Sequence, residues 1–281
     1  MAFDFAHIGK DIHTHNVASH LPNFDSWTTQ QVYANFGEPE KEPISRYDNQ
    51  PLGPEAPPYA VQPSYFWSID EEDLAKQIKI IDFGEASFSK DERKALHTPL
   101  PFRAPESFFG ESIGPPADMW AFGCTVFDIF GNGHLFEGFM PSKDVFLLEI
   151  VSCLGKLPPQ WWQQWNSRCF FSSSDGTPRT DKYAPVYEQS ISLALRIKEM
   201  RSSGSDQPQE ALGPFKPEEL ADLENLLTAI LKYLPSERMT AEDVSKLKWI
   251  REQCLTTGAN DSNILCADPL PSQSEIVSEK G

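Results

Sequence analysis

The chain has 281 residues, 40% of them hydrophobic and 23% charged, which is long and apolar enough to bury a sizeable core. Acids outnumber bases by 41 to 24, a formal charge of −17 that argues against a nucleic-acid-binding surface and suits a basic protein partner. No stretch approaches ~18 uninterrupted apolar residues, so no membrane-spanning helix is expected. The start Met1-Ala2-Phe3-Asp4 lacks the basic and apolar regions of a secretory signal. Five cysteines (Cys124, Cys153, Cys169, Cys254, Cys266) are widely spaced with no C-x-x-C pair, which fits reduced thiols and a cytoplasmic or nuclear location.

In chain order, Asp11-Ile12-His13-Thr14-His15-Asn16 comes first, and the apolar run Ile78–Ile81 leads directly into Asp82-Phe83-Gly84. A small β-ribbon is expected from Asn16–Leu21 and Ile78–Ile81. Residues 22–77 between them read as an insertion. Pro39, Pro43, Pro51, Pro54, Pro57, Pro58 and Pro63 break long regular elements there, leaving one helix near Thr28–Phe36. The rest is expected to lie extended over the surface, pinned by Trp27, Tyr59 and Trp67. Residues 116–131 are apolar almost all round and predict a buried central helix. Ser142–Leu154 predicts another. Pro217–Leu234 is amphipathic, with Leu220, Leu223, Leu226, Leu227, Ile230 and Leu231 at helical spacing behind a proline suited to the first turn. A final helix is expected from Thr240 to Gln253, opened by a capping-box-like Thr240-x-x-Asp243. Gly155–Tyr187 and Arg201–Pro214 read as looser stretches, and the tail beyond Thr256 as disordered.

Taken in order, Asp11 with Asn16, then Asp82-Phe83-Gly84, then Ala104-Pro105-Glu106 resemble the D-x-x-x-x-N, D-F-G and A-P-E motifs of protein kinases. Phe102-Arg103-Ala104-Pro105-Glu106 is similar to the Y-R-[SA]-P-E of the CMGC group, the branch with the cyclin-dependent, MAP and SR-protein kinases. Asp118-Met119-Trp120-Ala121-Phe122-Gly123 looks like the D-x-W-x-x-G that opens the central kinase helix. Pro235-Ser236-Glu237-Arg238 with Thr240-Ala241 resembles P-x-x-R-x-T-A. Asp-Phe-Gly-Glu-Ala and the proline-rich insertion look most like the SR-protein-kinase branch in its fungal form.

The resemblance implies a mainly α fold, the C-terminal lobe of a protein kinase, that is, the α+β kinase fold without its N-terminal β lobe. No G-x-G-x-x-G loop or V-A-I-K strand precedes residue 11. Residues 1–255 would be that large lobe, carrying the insertion at about 22–77 and a CMGC-type insert at about 155–215, with 256–281 as a tail. It implies ATP-dependent phosphorylation of protein Ser/Thr with Mg²⁺, by a truncated enzyme. Asp11 would orient the acceptor hydroxyl. His13 stands where a lysine usually meets the γ-phosphate, and a neutral imidazole there compensates less charge than an ammonium. Asn16 and Asp82 would hold Mg²⁺ on the nucleotide, beside Phe83 and Gly84. Arg103, Glu106, Asp118 and Arg238 would organise the activation segment and the lobe, through a Glu106–Arg238 pair and an Asp118 brace on the catalytic loop. Basic, Arg/Ser-rich protein substrates are implied, and apolar surface left without a small lobe would favour self-association. The alternatives are an inactive kinase remnant that binds proteins, or the product of an incompletely assembled gene for an active kinase.

Some positions depart from the pattern. Gly9-Lys10 stands where His-Arg usually precedes the aspartate, and Thr98 is one residue farther from Ala104 than usual. His13, His15 and His20 with Asp11 also offer a zinc reading, since His-x-His on a strand puts two imidazoles on one face, although no third ligand motif follows. Trp161, Trp162 and Trp165 at helical spacing predict packing rather than a recognition surface.

Overall fold

A computed structural model describes residues 8–9, 12–63, 78–84, 86–88, 97–131, 133–137, 142–171, 173–175, 191–200 and 215–255. Asp11, Trp67 and the expected tail lie outside the described residues, as do parts of both expected inserts. The chain divides into two compact units, Val17–Ile81 and the remainder.

In the larger unit, β1 (Ile8–Gly9) pairs antiparallel with β6 (Ser87–Phe88), and the rest is built on helices. The central one, α2 (Pro115–Phe130), opens with proline at its first position behind Gly114, and every residue from Ala117 to Phe127 except Phe122 is buried. Its all-round apolar sequence thus becomes a spine with protein on every side. Gly123 lets α7 (Pro217–Ile230) approach closely, because a Cβ there would stand 3.0 Å from side-chain carbons of both Ile230 and Leu231. Leu223, Leu226 and Leu227 of α7 are buried, as its amphipathic spacing predicts.

A second cluster packs α3 (Lys143–Leu154) against α4 (Pro159–Gln164), uniting Leu147, Leu148, Val151 and Leu157 with Trp161 and Trp165. Both indoles are fully enclosed, and their N–H groups donate to acids: Trp161 to Glu111, and Trp165 to Asp144 at 2.7 Å. The tryptophans are therefore packing residues whose single polar atom is satisfied. Helix α4 and the short α5 (Arg168–Phe171) occupy parts of the Gly155–Tyr187 stretch expected to be loose, and α6 (Leu193–Glu199) lies between that stretch and the next.

Two helix ends differ from expectation for visible reasons. Helix α7 stops at Ile230 rather than Leu234, because Leu231 (φ −83°, ψ 61°) turns inward to 3% exposure. The carbonyls of Lys232 and Tyr233 are thereby released to accept from Arg238. The expected final helix is two, α8 (Ala241–Lys246) and α9 (Lys248–Leu255). Leu247 between them is extended (ψ 135°), a bend that lets Trp249 and Ile250 reach the main core. Thr240 caps α8 by accepting from the Asp243 N–H.

In the smaller unit, β2 (Val17–Ser19) pairs antiparallel with β5 (Ile78–Ile80), which is the expected ribbon. Helix α1 (Thr29–Phe36) starts at a capping box between Thr28 and Gln31. A further ribbon, β3 (Lys41–Pro43) with β4 (Tyr59–Val61), was not expected from so proline-rich a segment; its one proline sits at the strand end. Tyr59 is not an anchor: its ring is 41% exposed, with the Lys41 ammonium 4.7 Å above it.

The close approach at Gly123 is testable. Gly123→Val should lower the free energy of unfolding by about 2–3 kcal/mol through overpacking against the Ile230 and Leu231 side chains, while Gly53→Ala, where a Cβ meets nothing within 4 Å, should leave it unchanged. Urea unfolding of both variants makes the comparison.

Candidate active site

The segment 12–16 forms a tight turn ending in a 3₁₀ helix, Thr14–Asn16, whose Asn16 N–H donates to the His13 carbonyl at 2.9 Å. Asn16 is buried. The register Val17↔Ile80 places Asn16 and Asp82 at the same end of the β2–β5 pairing, one just before β2 and the other just after β5. Asp82 is exposed and adopts φ 56°, a left-handed conformation that costs a non-glycine residue roughly 1 kcal/mol or more. Its Oδ1 accepts the Gly84 N–H at 3.3 Å, and a Cβ on Gly84 would stand 3.2 Å from that oxygen. Glycine thus leaves the carboxylate room, and Asp82 Oδ2 makes no hydrogen bond among the described residues. Phe83 is 51% exposed.

His13 is buried at 7% exposure. Its ring lies 5.4 Å from that of Phe102 and edge-on to His15 at 5.5 Å. Among the described residues, no three His, Cys, Asp or Glu side chains converge as a metal site.

The segment from Thr98 to Glu106 is anchored from both sides. Arg103 donates twice to the Thr98 carbonyl, from Nε at 2.9 Å and Nη2 at 2.6 Å, and Thr98 is itself buried. Glu106, 1% exposed, receives Arg238 Nη1 at 2.8 Å and Nη2 at 2.6 Å. The same guanidinium donates to the carbonyls of Lys232 (2.9 Å), Pro116 (2.8 Å) and Tyr233 (2.9 Å), and it lies 5.2 Å above the Trp120 ring. All five of its N–H donors are used. Asp118 is buried in the first turn of α2, where the helix dipole favours a negative charge.

The sequence reading missed a polar cluster behind the turn. Asp128, on the otherwise apolar α2, accepts from Thr14 Oγ1 at 3.3 Å, and the same Oδ2 lies 2.7 Å from His134 Nδ1. His134 in turn stands edge-on to Phe102 at 5.3 Å. The second acid of the 116–131 run, set deep in its apolar part, was the available signal. Burial pushes the Asp128 carboxyl above its ordinary value, with the charge of His134 first among the opposing influences. Burial also raises the Cys124 thiol well above normal and pushes Cys153 up to about 12, so neither is a thiolate at neutral pH.

The described residues thus bring an exposed aspartate in a left-handed conformation after β5 and a buried asparagine before β2 to one end of a strand pairing, with a buried Glu106–Arg238 brace among the helices. The Protein kinase domain family matches residues 69–250, well over half of the chain. The chain belongs to the protein kinase family. It is 28% identical over 173 residues to the probable serine/threonine-protein kinase dyrk2 of Dictyostelium discoideum, covering 62% of this chain and 17% of that protein. It is 30% identical over 181 residues to the dual specificity tyrosine-phosphorylation-regulated kinase mbk-2 of Caenorhabditis elegans, covering 63% and 21%. To the serine/threonine-protein kinase AFC1 of Arabidopsis thaliana it is 24% identical over 180 residues, covering 64% and 36%. The matched stretch is therefore about a fifth to a third of the length of these relatives.

The Asp128 cluster gives a pH test. A buried carboxyl with a raised value binds its proton more tightly folded than unfolded, so its contribution is greatest below the ordinary value of 3.8 and is lost as pH rises through the folded value. The stability of the wild type minus that of Asp128→Asn should therefore fall as pH is raised from below 3.8 to neutrality. Paired urea titrations across that range measure it, and a difference that grows with pH would exclude the burial penalty as the dominant cause.

Proposed function

We propose that residues 1–255 provide the large lobe of an ATP-dependent serine/threonine protein kinase acting on basic, Arg/Ser-rich protein segments. The observation that carries this reading is the pair Asn16 and Asp82, set at one end of a strand pairing with Asp82 held in a left-handed conformation and one carboxylate oxygen open. An aspartate carboxylate and an asparagine amide are hard oxygen donors, and such donors fit Mg²⁺. Bound Mg-ATP supplies the transferable phosphoryl group.

The chain's own residues do the rest by positioning. Asn16 and Asp82 would hold the metal, and the Gly84 N–H on one oxygen of Asp82 leaves the other open for it. Asp11 accepts the hydrogen bond of the acceptor hydroxyl and orients it. His13, packed on Phe102, supports the turn that ends in Asn16. Arg103 and the Glu106–Arg238 brace fix the two ends of the Phe102–Phe109 segment, against which an acceptor peptide would lie. An excess of 17 acidic charges favours a basic substrate by long-range attraction. The mbk-2 similarity favours a second reading in which tyrosine is also an acceptor.

The test fuses the small lobe of the Dictyostelium relative ahead of Met1, then follows phosphate transfer from Mg-ATP to an Arg/Ser-repeat peptide. Transfer to serine is expected, with Asp82→Ala lowering the rate about a hundredfold or more. Phosphoamino-acid analysis separates the serine/threonine reading from the dual-specificity one. A folded fusion that binds nucleotide and transfers nothing, or an Asp82→Ala variant as fast as its parent, would overturn the proposal.

A further inference from the structure

A groove of about 950 Å³ opens on the larger unit, among the end of α3, helix α4, the start of α6 and the end of α7. None of the proposed catalytic residues lines it. Its floor is apolar and well buried: Cys153, Leu157, Leu193 and Leu231 are each less than a tenth exposed. The Trp162 indole forms one wall, held edge-on against Trp165 with ring centroids 5.9 Å apart. Tyr233 also lines the groove, but its hydroxyl donates to the Gly155 carbonyl, so it fastens the α3–α4 turn and leaves the opening without a phenolic ligand.

The rim charge runs against the rest of the molecule. In a chain of 41 acids and 24 bases, the groove is lined by two lysines, Lys156 and Lys232, and by one acid, Glu237. Lys156 is held in place, its Nζ donating to the Ser174 carbonyl at 2.6 Å and lying 5.0 Å from the Trp162 ring centroid. That uses one of three ammonium donors and leaves the charge beside the wall. Lys232 makes no ion pair among the described residues. An apolar floor under an ordered aromatic wall rewards bulky aliphatic or aromatic side chains. Two ammonium groups at the edge, one already immobilised, reward carboxylates at low ordering cost. A basic segment of the kind proposed as substrate would meet like charge here, so the groove selects a different partner from the catalytic face.

We propose that this groove is a docking site for a short acidic-apolar peptide segment of a partner protein, one seating a large apolar side chain on the Leu157–Leu193–Leu231 floor with an adjacent Asp or Glu against Lys156 and Lys232. The site is independent of phosphoryl transfer and needs no nucleotide.

The test pans a phage-displayed random dodecapeptide library on the full 281-residue chain, after removing clones that also bind Ala194→Trp, a substitution on the groove wall that fills the opening. The enriched clones should pair Leu, Ile, Met or Phe with neighbouring Asp or Glu. A synthetic copy of the most frequent clone should bind about tenfold more weakly to Lys156→Glu/Lys232→Glu, with binding falling as salt is raised. Thr228→Trp blocks the same opening from α7 and replaces Ala194→Trp if circular dichroism shows that variant unfolded. Enrichment of Lys/Arg-rich clones, affinity untouched by the charge reversals, or failure to recover any clone sensitive to the blocking substitutions would each overturn the proposal.

Discussion

One buried guanidinium organises the larger unit. Arg238 spends all five donors on three separate segments: the carboxylate of Glu106 after Ala-Pro, the carbonyl of Pro116 in the first turn of α2, and the carbonyls of Lys232 and Tyr233 where α7 ends. Its side chain is fully enclosed and its partner almost so. Taking two charges out of water costs several kcal/mol, and such a pair persists only if the geometry is good and the remaining donors are met. Here they are met. The consequence is structural: α7 must stop at Ile230 to free its carbonyls, and the Phe102–Phe109 segment must sit against the start of α2. The Trp120 ring completes the enclosure from the helix side.

From this brace the site follows outward. Helix α2 is fixed at its start by the Pro116 carbonyl and along its length by the core. It presents Asp118 in its first turn and Asp128 three turns on, and the latter receives Thr14 of the turn that carries Asn16. The turn is thus tied to the same helix that the guanidinium holds. Phe102 stands between His13 and His134, so the segment following the Thr98–Arg103 bonds and the turn share one aromatic contact.

Much of this was readable before any coordinates. The all-round apolar run at 116–131 became the buried spine, the leucine spacing after Pro217 became α7, and the expected strand pair formed at Val17–Ser19 and Ile78–Ile80. The Glu106–Arg238 contact joins residues 132 positions apart, and only motif resemblance connected the two, since no local pattern links positions so far apart. What stayed hidden depended on tertiary geometry. The bend at Leu247 serves Trp249 and Ile250, whose burial no window of sequence reveals. The β3–β4 ribbon formed despite local prolines because cross-strand pairing outweighs weak propensity. The Asp128–His134–Thr14 cluster joins three elements, and its only trace was an acid near the end of a largely apolar helix.

The central claim is that a planar five-donor fork, and not a positive charge alone, holds the lobe together. Urea unfolding of Arg238→Lys, Arg238→Ala and the exposed control Lys198→Ala tests it directly. An ammonium keeps the charge but cannot reach Glu106 bidentately while also serving three carbonyls. Arg238→Lys should therefore lose nearly as much stability as Arg238→Ala, about 3–5 kcal/mol, with Lys198→Ala unchanged. Arg238→Lys matching the wild type would show that charge suffices, and Arg238→Ala matching Lys198→Ala would show that the brace contributes nothing.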